Sequence, residues 1–164
     1  MSLIRATSYE AAVENGTAYF IISFREISNN DIVDFAITAP TTAPPTIGLS
    51  FDADPSGEVL IEVFRDSVLN ATPGGTVIPL FNSNEASGNV ALTEVLENPA
   101  IDNDGTRVAN SQLGAGRSNQ TAGQGDKTNV IYLAAEDGTT LIRMTSGQAG
   151  NVVNFTVRVI EEAT

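Results

Sequence analysis

The segment Asp102-Asn103-Asp104-Gly105-Thr106 has the strongest claim to chemistry in this sequence. Oxygen ligands at alternate positions can converge on one hard cation, as at the start of an EF-hand calcium loop. The rest of such a loop is missing, because its twelfth position is Leu113 rather than Glu. Asp, Asn and Gly also favour turns through local side-chain hydrogen bonds, and a turn is the reading adopted. A second candidate, Gly114-Ala115-Gly116-Arg117-Ser118-Asn119, has the small residues of a phosphate cradle. It lacks the third glycine, the Lys-Ser/Thr pair and a βαβ context, so it reads as a small-residue loop.

Acidic pairs such as Glu58 with Glu62, or Glu94 with Glu97, are the remaining reactive types. A glycosidase needs two carboxylates about 5 to 10 Å apart in a cleft. Nothing in the spacing places a pair there, and sugar-stacking aromatics are few: no Trp and three Tyr. The chain has no His, which removes the usual general base, and no Cys, which removes thiolate metal sites and disulfides. No catalytic residue, cofactor or metal is expected, and the chain is not read as an enzyme. Arg65 in VFRDSV and Arg143 in LIRMTS sit mid-strand. Each either carries a solubilising charge or ion pair, or contacts a partner subunit.

The chain is 164 residues long, with 20 acidic and 8 basic residues and a net charge of −12. That balance argues against binding nucleic acid or an anionic membrane surface. No apolar run approaches the roughly 20 residues of a membrane span. The opening MSLIRATSYE does not resemble a secretory signal.

The elements that must position these residues read as strands. Glu58 to Asn84 is the clearest stretch. Val59, Ile61 and Val63 share one face, and Leu60, Glu62 and Phe64 the other. A wide turn at 70–75 and a second strand over 76–81 suggest a long-looped hairpin. Ser8 to Glu14 is read as a strand closed by an Asn15-Gly16 type I′ turn. Thr17 to Ile27 is a strand with Ala18, Phe20, Ile22 and Phe24 on the apolar face and Tyr19, Ile21, Ser23 and Arg25 on a half-wet one. Ile32 to Thr38 turns Val33, Phe35 and Ile37 inward. The proline-rich 39–46 reads as a crossing between two sheets, followed by a strand at Ile47, Leu49 and Phe51 and a turn over 52–57. A strand over 90–96, a turn-rich 97–110, a strand over 129–134, and strands over 139–145 and 151–161 follow. The last turns Val153, Phe155, Val157 and Val159 inward. About eight to ten strands closed by Gly, Pro, Asn and Asp fit an all-β, antiparallel β-sandwich, jelly-roll-like, in a single domain. The expected layout is an N-terminal arm at 1–8 and a sandwich domain at 9–162 with a long Gly-rich loop at about 105–128.

The order of segments resembles a family of capsid decoration proteins, also called head or cement proteins, of tailed bacteriophages. The likeness is carried by Glu14-Asn15-Gly16-Thr17-Ala18-Tyr19, by EVLIEVFRD at 58–66, by Gly75-Thr76 and by Phe81-Asn82-Ser83-Asn84. Gly105-Thr106 with the Gly-rich 113–125, TTLIRMTS at 139–146, Gly150-Asn151 and the ending Glu161-Glu162 complete it. It spans residues 9–162. Two features depart from the family pattern: there is no His near the early strand, and Glu85 follows Asn84 where an Arg is usual.

The resemblance implies a structural virion protein, made in the host bacterial cytoplasm, that sits on the outer surface of a mature head. It implies a homo-oligomer, a trimer, that stabilises contacts between major-capsid subunits. The candidate partner contacts are Leu3, Ile4, Arg5, Arg65, Leu113, Gly114, Gly116, Arg117 and Arg143. The alternative is a carbohydrate- or receptor-binding β-sandwich module of a tail fibre or baseplate. Exposed aromatics on one face distinguish the two, with Tyr9, Tyr19 and Tyr132 as the residues to inspect.

Overall fold

A computed structural model describes residues 9–39, 45–114, 131–133 and 138–163. The organising strand is β13, Asn151–Ala163. Val153, Phe155, Val157 and Val159 alternate with polar residues and are fully buried on one face, as their spacing predicts. β13 pairs antiparallel along one side with β1, Ala18–Ile27, and along the other with β3, Pro45–Pro55. Short pieces, β11 (Ile131–Leu133) and β7 (Phe81–Asn82), flank them to give a five-stranded sheet of order β11-β3-β13-β1-β7.

The second sheet has β12 (Thr139–Ser146) at its centre, between β2 (Ile32–Thr38) and β4 (Val59–Arg65). β10 (Thr106–Leu113) lies outside β4. β8 (Glu94–Glu97) and β6 (Thr76–Val77) lie outside β2, giving the order β10-β4-β12-β2-β8-β6. The two sheets face each other across a core in which Phe155 stacks on Phe35 at 5.0 Å between centroids and tilts against Phe51 at 5.9 Å. The all-β antiparallel sandwich read from the sequence is the fold observed. The proline-rich connection leaves β2 in one sheet and enters β3 in the other, with Pro45 as the first residue of its strand, where a missing N–H is tolerated.

A small third layer covers the outside of the six-stranded sheet. β5 (Val68–Leu69) pairs with β9 (Ile101–Asn103), and Leu69 and Ile101 pack on a second apolar cluster of Ala36, Phe64, Leu96 and Leu141. Both faces of β2 and β12 are therefore buried, so that β2 is apolar at all but Asp34 and Thr38, and β12 buries Thr139, Thr140 and Ser146 beside its Leu141, Ile142 and Met144.

Several expectations need correction. Tyr9–Glu14 is a helix, α1, not a strand. Asn15-Gly16 ends it rather than turning a hairpin: Gly16 N–H bonds to Val13 O and Thr17 N–H to Ala12 O, with Gly16 at φ 68°, a Schellman cap. The strand at 59–65 does not form a hairpin with 76–81. That segment crosses between the sheets, with Thr76–Val77 pairing with β8 and Phe81 pairing with Phe20. β3 runs on through Asp52 to Pro55, where a turn was expected. The 90–96 strand shrinks to Glu94–Glu97, with Val90 and Leu92 exposed. Residues 106–113, placed in a turn-rich region and a Gly-rich loop, form β10 instead. Most of its residues are polar, but its backbone completes the hydrogen bonding of β4 from Val59 to Arg65.

Candidate interaction surface

The strand β1 has apolar side chains on both faces, and its partner decides which face is buried. The register sets Tyr19 opposite Val159, Ile21 opposite Val157, Ser23 opposite Phe155 and Arg25 opposite Val153. Cross-strand neighbours share a face, so the wholly apolar inward face of β13 draws Tyr19, Ile21 and Ser23 into the core. This reverses the orientation expected from the sequence. Ile22 and Phe24 are left outside at 66% and 61% exposure.

Phe81, 57% exposed on β7, joins them, its ring 6.0 Å from that of Phe20. Phe20, Ile22, Phe24 and Phe81 thus form an apolar surface on the outer face of the five-stranded sheet. Farther across the sheet the same rows become polar, through Asn154 and Asp54, then Thr156 and Asp52, then Arg158 and Ser50. Arg158 and Asp52 form an ion pair there.

Among the described residues, the apolar surface borders an open strand edge. β1 pairs with β13 along all ten of its residues, but on its other side only Tyr19 and Phe20 have a strand partner. Among the described residues no strand lies beside Ile21 to Ile27 on that side. Below this edge Arg25 crosses to the other sheet, its Nε donating to Glu97 Oε1 at 2.9 Å, and Ile78 and Leu80 pack on the core nearby.

The residues selected from the sequence are not brought together. Leu3, Ile4, Arg5, Gly116 and Arg117 lie outside the described residues. Arg65 is exposed at the end of β4, opposite Thr106. Leu113 is buried at the end of β10 and belongs to the main core. Gly114 follows at φ 70°, so close to Gly57 that a Cβ would sit 2.3 Å from its carbonyl oxygen.

Arg143 points to the outer face of β12 and is held on two sides. Nε and Nη2 donate to Asp34 at 2.8 and 3.1 Å, and Nη1 and Nη2 donate to Asp104 at 2.8 and 2.9 Å. Its guanidinium also lies 5.5 Å from the Phe64 ring centroid. These bonds hold its pKa above the ordinary arginine value, Asp34 acting first and Asp104 second. They make Arg143 the clamp of the third layer.

The Asp102–Thr106 segment forms the expected turn. Asn103 Oδ1 accepts the Gly105 N–H, Asp102 accepts from Asn70 Nδ2, and Asp104 faces Arg143. Its three side chains diverge to different partners. The acidic pairs also separate: Glu62 accepts from Arg107 at 2.8 Å, Glu97 from Arg25 and Glu58 from Gln112.

Comparison with protein-family models, with curated proteins and with solved structures gave no match. The surface described above is therefore read on its own chemistry.

Proposed function

We propose that this chain is a structural protein of a phage head, which binds the outer surface of the mature shell and stabilises contacts between major-capsid subunits. The observation that supports this reading is the apolar outer face of Ile22, Phe24 and Phe81 on a rigid two-sheet frame. A monomeric soluble domain seldom leaves clustered large apolar side chains in water, and such a patch suits contact with another protein. The choice of a phage shell as that protein comes from the ordered segment resemblance. Many copies bound at symmetric positions would supply avidity even where each contact is weak.

Exposed aromatics on one face are what the alternative, a carbohydrate- or receptor-binding module, also calls for. Phe24 and Phe81 are two such residues, but none of the tyrosines with a described side chain joins them. Tyr19 is buried, and the Tyr9 hydroxyl bonds to Ser83 Oγ at 2.8 Å; the side chain of Tyr132 lies outside the described residues. The exposed aromatics are phenylalanines, which can stack on a sugar but offer it no hydrogen bond.

Co-sedimentation with phage heads stripped of outer proteins tests the proposal. Saturable binding that Phe81→Asp weakens is the expected result. Absence of binding to heads, together with a specific signal on a glycan array, would replace it with the alternative.

A further inference from the structure

We propose that a second copy of this chain pairs with the open edge of β1, joining two five-stranded sheets antiparallel about a two-fold axis. The inference does not rest on the shell-binding reading, and it gives a dimer rather than the trimer that the family resemblance implies. Natural sheets blunt their edges with bulges, charges or prolines. The β10 edge follows this rule: it has a bulge between Arg107 and Ala109, and Arg107 carries a charge there, paired with Glu62. The β1 edge from Ile21 to Ile27 pairs in unbroken register with β13, contains no bulge or proline, carries charge only at Arg25, which is held to Glu97, and at Glu26, and sets exposed Ile22 and Phe24 beside it. Such an edge is a template for one more strand.

Charge favours this place for self-association. Two molecules of net charge −12 repel each other, so they meet most easily where charge is balanced. Residues 18–27 contain one Arg and one Glu, a local net charge of zero.

The length of the free edge fixes the register. Seven residues span about 23 Å of strand. Overlapping Ile21–Ile27 fully with its own copy puts Phe24 on the axis, opposite the partner's Phe24. An axis perpendicular to the sheet keeps inward residues inward. Ile21 then faces the partner's Ile27, and Ser23 faces the partner's Arg25. Ser23 is only 5% exposed, and among the described residues its hydroxyl has no hydrogen-bond partner. Arg25 uses three of its five N–H donors among the described residues, two on Glu97 and one on Phe24 O, which leaves two that can serve that hydroxyl. On the outer face Phe24 would meet its own copy, with Ile22 on either side of it opposite the partner's Glu26.

Sedimentation of the full chain through the micromolar range, without heads, tests the inference. The expected result is a two-copy mass, with Phe24→Asp raising the dissociation constant at least about tenfold by placing two carboxylates on the axis. The chain has no Cys, so single substitutions report contacts between copies only. Phe24→Cys should form a disulfide-linked dimer under mild oxidation much faster than Val90→Cys, an exposed control. Circular dichroism checks that each variant is folded. A monomer at every concentration overturns the inference, whether the edge amides exchange freely or are protected by another segment of the chain. So do a three-copy mass, a dimer unaffected by Phe24→Asp, and equal cross-linking of the two cysteine variants.

Discussion

The Glu161 carboxylate oxygen Oε1 accepts both the backbone N–H and the hydroxyl of Thr93, each at 2.7 Å. The same oxygen accepts the Leu92 N–H at 2.7 Å, so one buried acid on β13 holds the segment leading into β8. Its charge also adds to the effect of burial in raising the Tyr19 hydroxyl above its ordinary pKa. Glu161→Ala should cost about 2 to 3 kcal/mol, because it strands a buried N–H and hydroxyl at Thr93. Thr93→Val should cost less. Urea unfolding measures both, and hydrogen exchange at residues 92 and 93 should accelerate in Glu161→Ala.

Acid should loosen the third layer first. Hydrogen bonds from Arg143 hold the Asp104 carboxyl below its ordinary pKa, outweighing a smaller opposing effect of burial. A group depressed in the folded state stabilises the fold above its unfolded pKa of about 3.9, and that stability is lost as pH falls through the lower folded value. Wild type should therefore lose stability below about pH 4 more steeply than Asp104→Asn. Parallel curves for the two proteins would disprove the coupling.

Burial distinguishes two phenylalanine classes. Phe155 is fully buried between Phe35 and Phe51, and Phe155→Ala should cost about 3 to 5 kcal/mol. Phe81→Ser, on the exposed face, should change stability by about 0.5 kcal/mol or less. Thermal melts of the two variants compare them directly.

Gly105 turns the chain between β9 and β10 at φ 85°, and a Cβ there would sit 2.1 Å from Arg65 O. Gly105→Ala should destabilise by at least about 1 kcal/mol, since both the backbone angle and the contact oppose it. Because Asp104 precedes this turn, the variant should also raise the Asp104 pKa toward its ordinary value, measurable by carboxyl NMR titration.

The strands whose inward face carries several large apolar residues were legible in the sequence. β2, β4, β12 and β13 lie where alternation places them, and the residues named as inward on β2, β4 and β13 are buried. β1 was legible as a strand but not in its orientation. Phe20, Ile22 and Phe24 outweigh Tyr19, Ile21 and Ser23 in apolar bulk, and only the partner strand reverses the choice. The candidate surface was missed for that reason. β10 was hidden because its sequence, TRVANSQL, lacks alternation and is held by backbone pairing. The crossing at 76–82 was hidden because its pairings, with β8 and β1, are set by the whole sandwich.

β12 and β13 are adjacent in sequence, yet each is the strand around which a different sheet closes. Until residues 139–163 have been synthesised, β2 and β4 have nothing between them, and neither do β1 and β3. A ribosome making this chain therefore holds each sheet as two separate halves with exposed edges, and both layers assemble in one late step. Folding should be slow and all-or-none, dominated by contacts between distant parts of the chain.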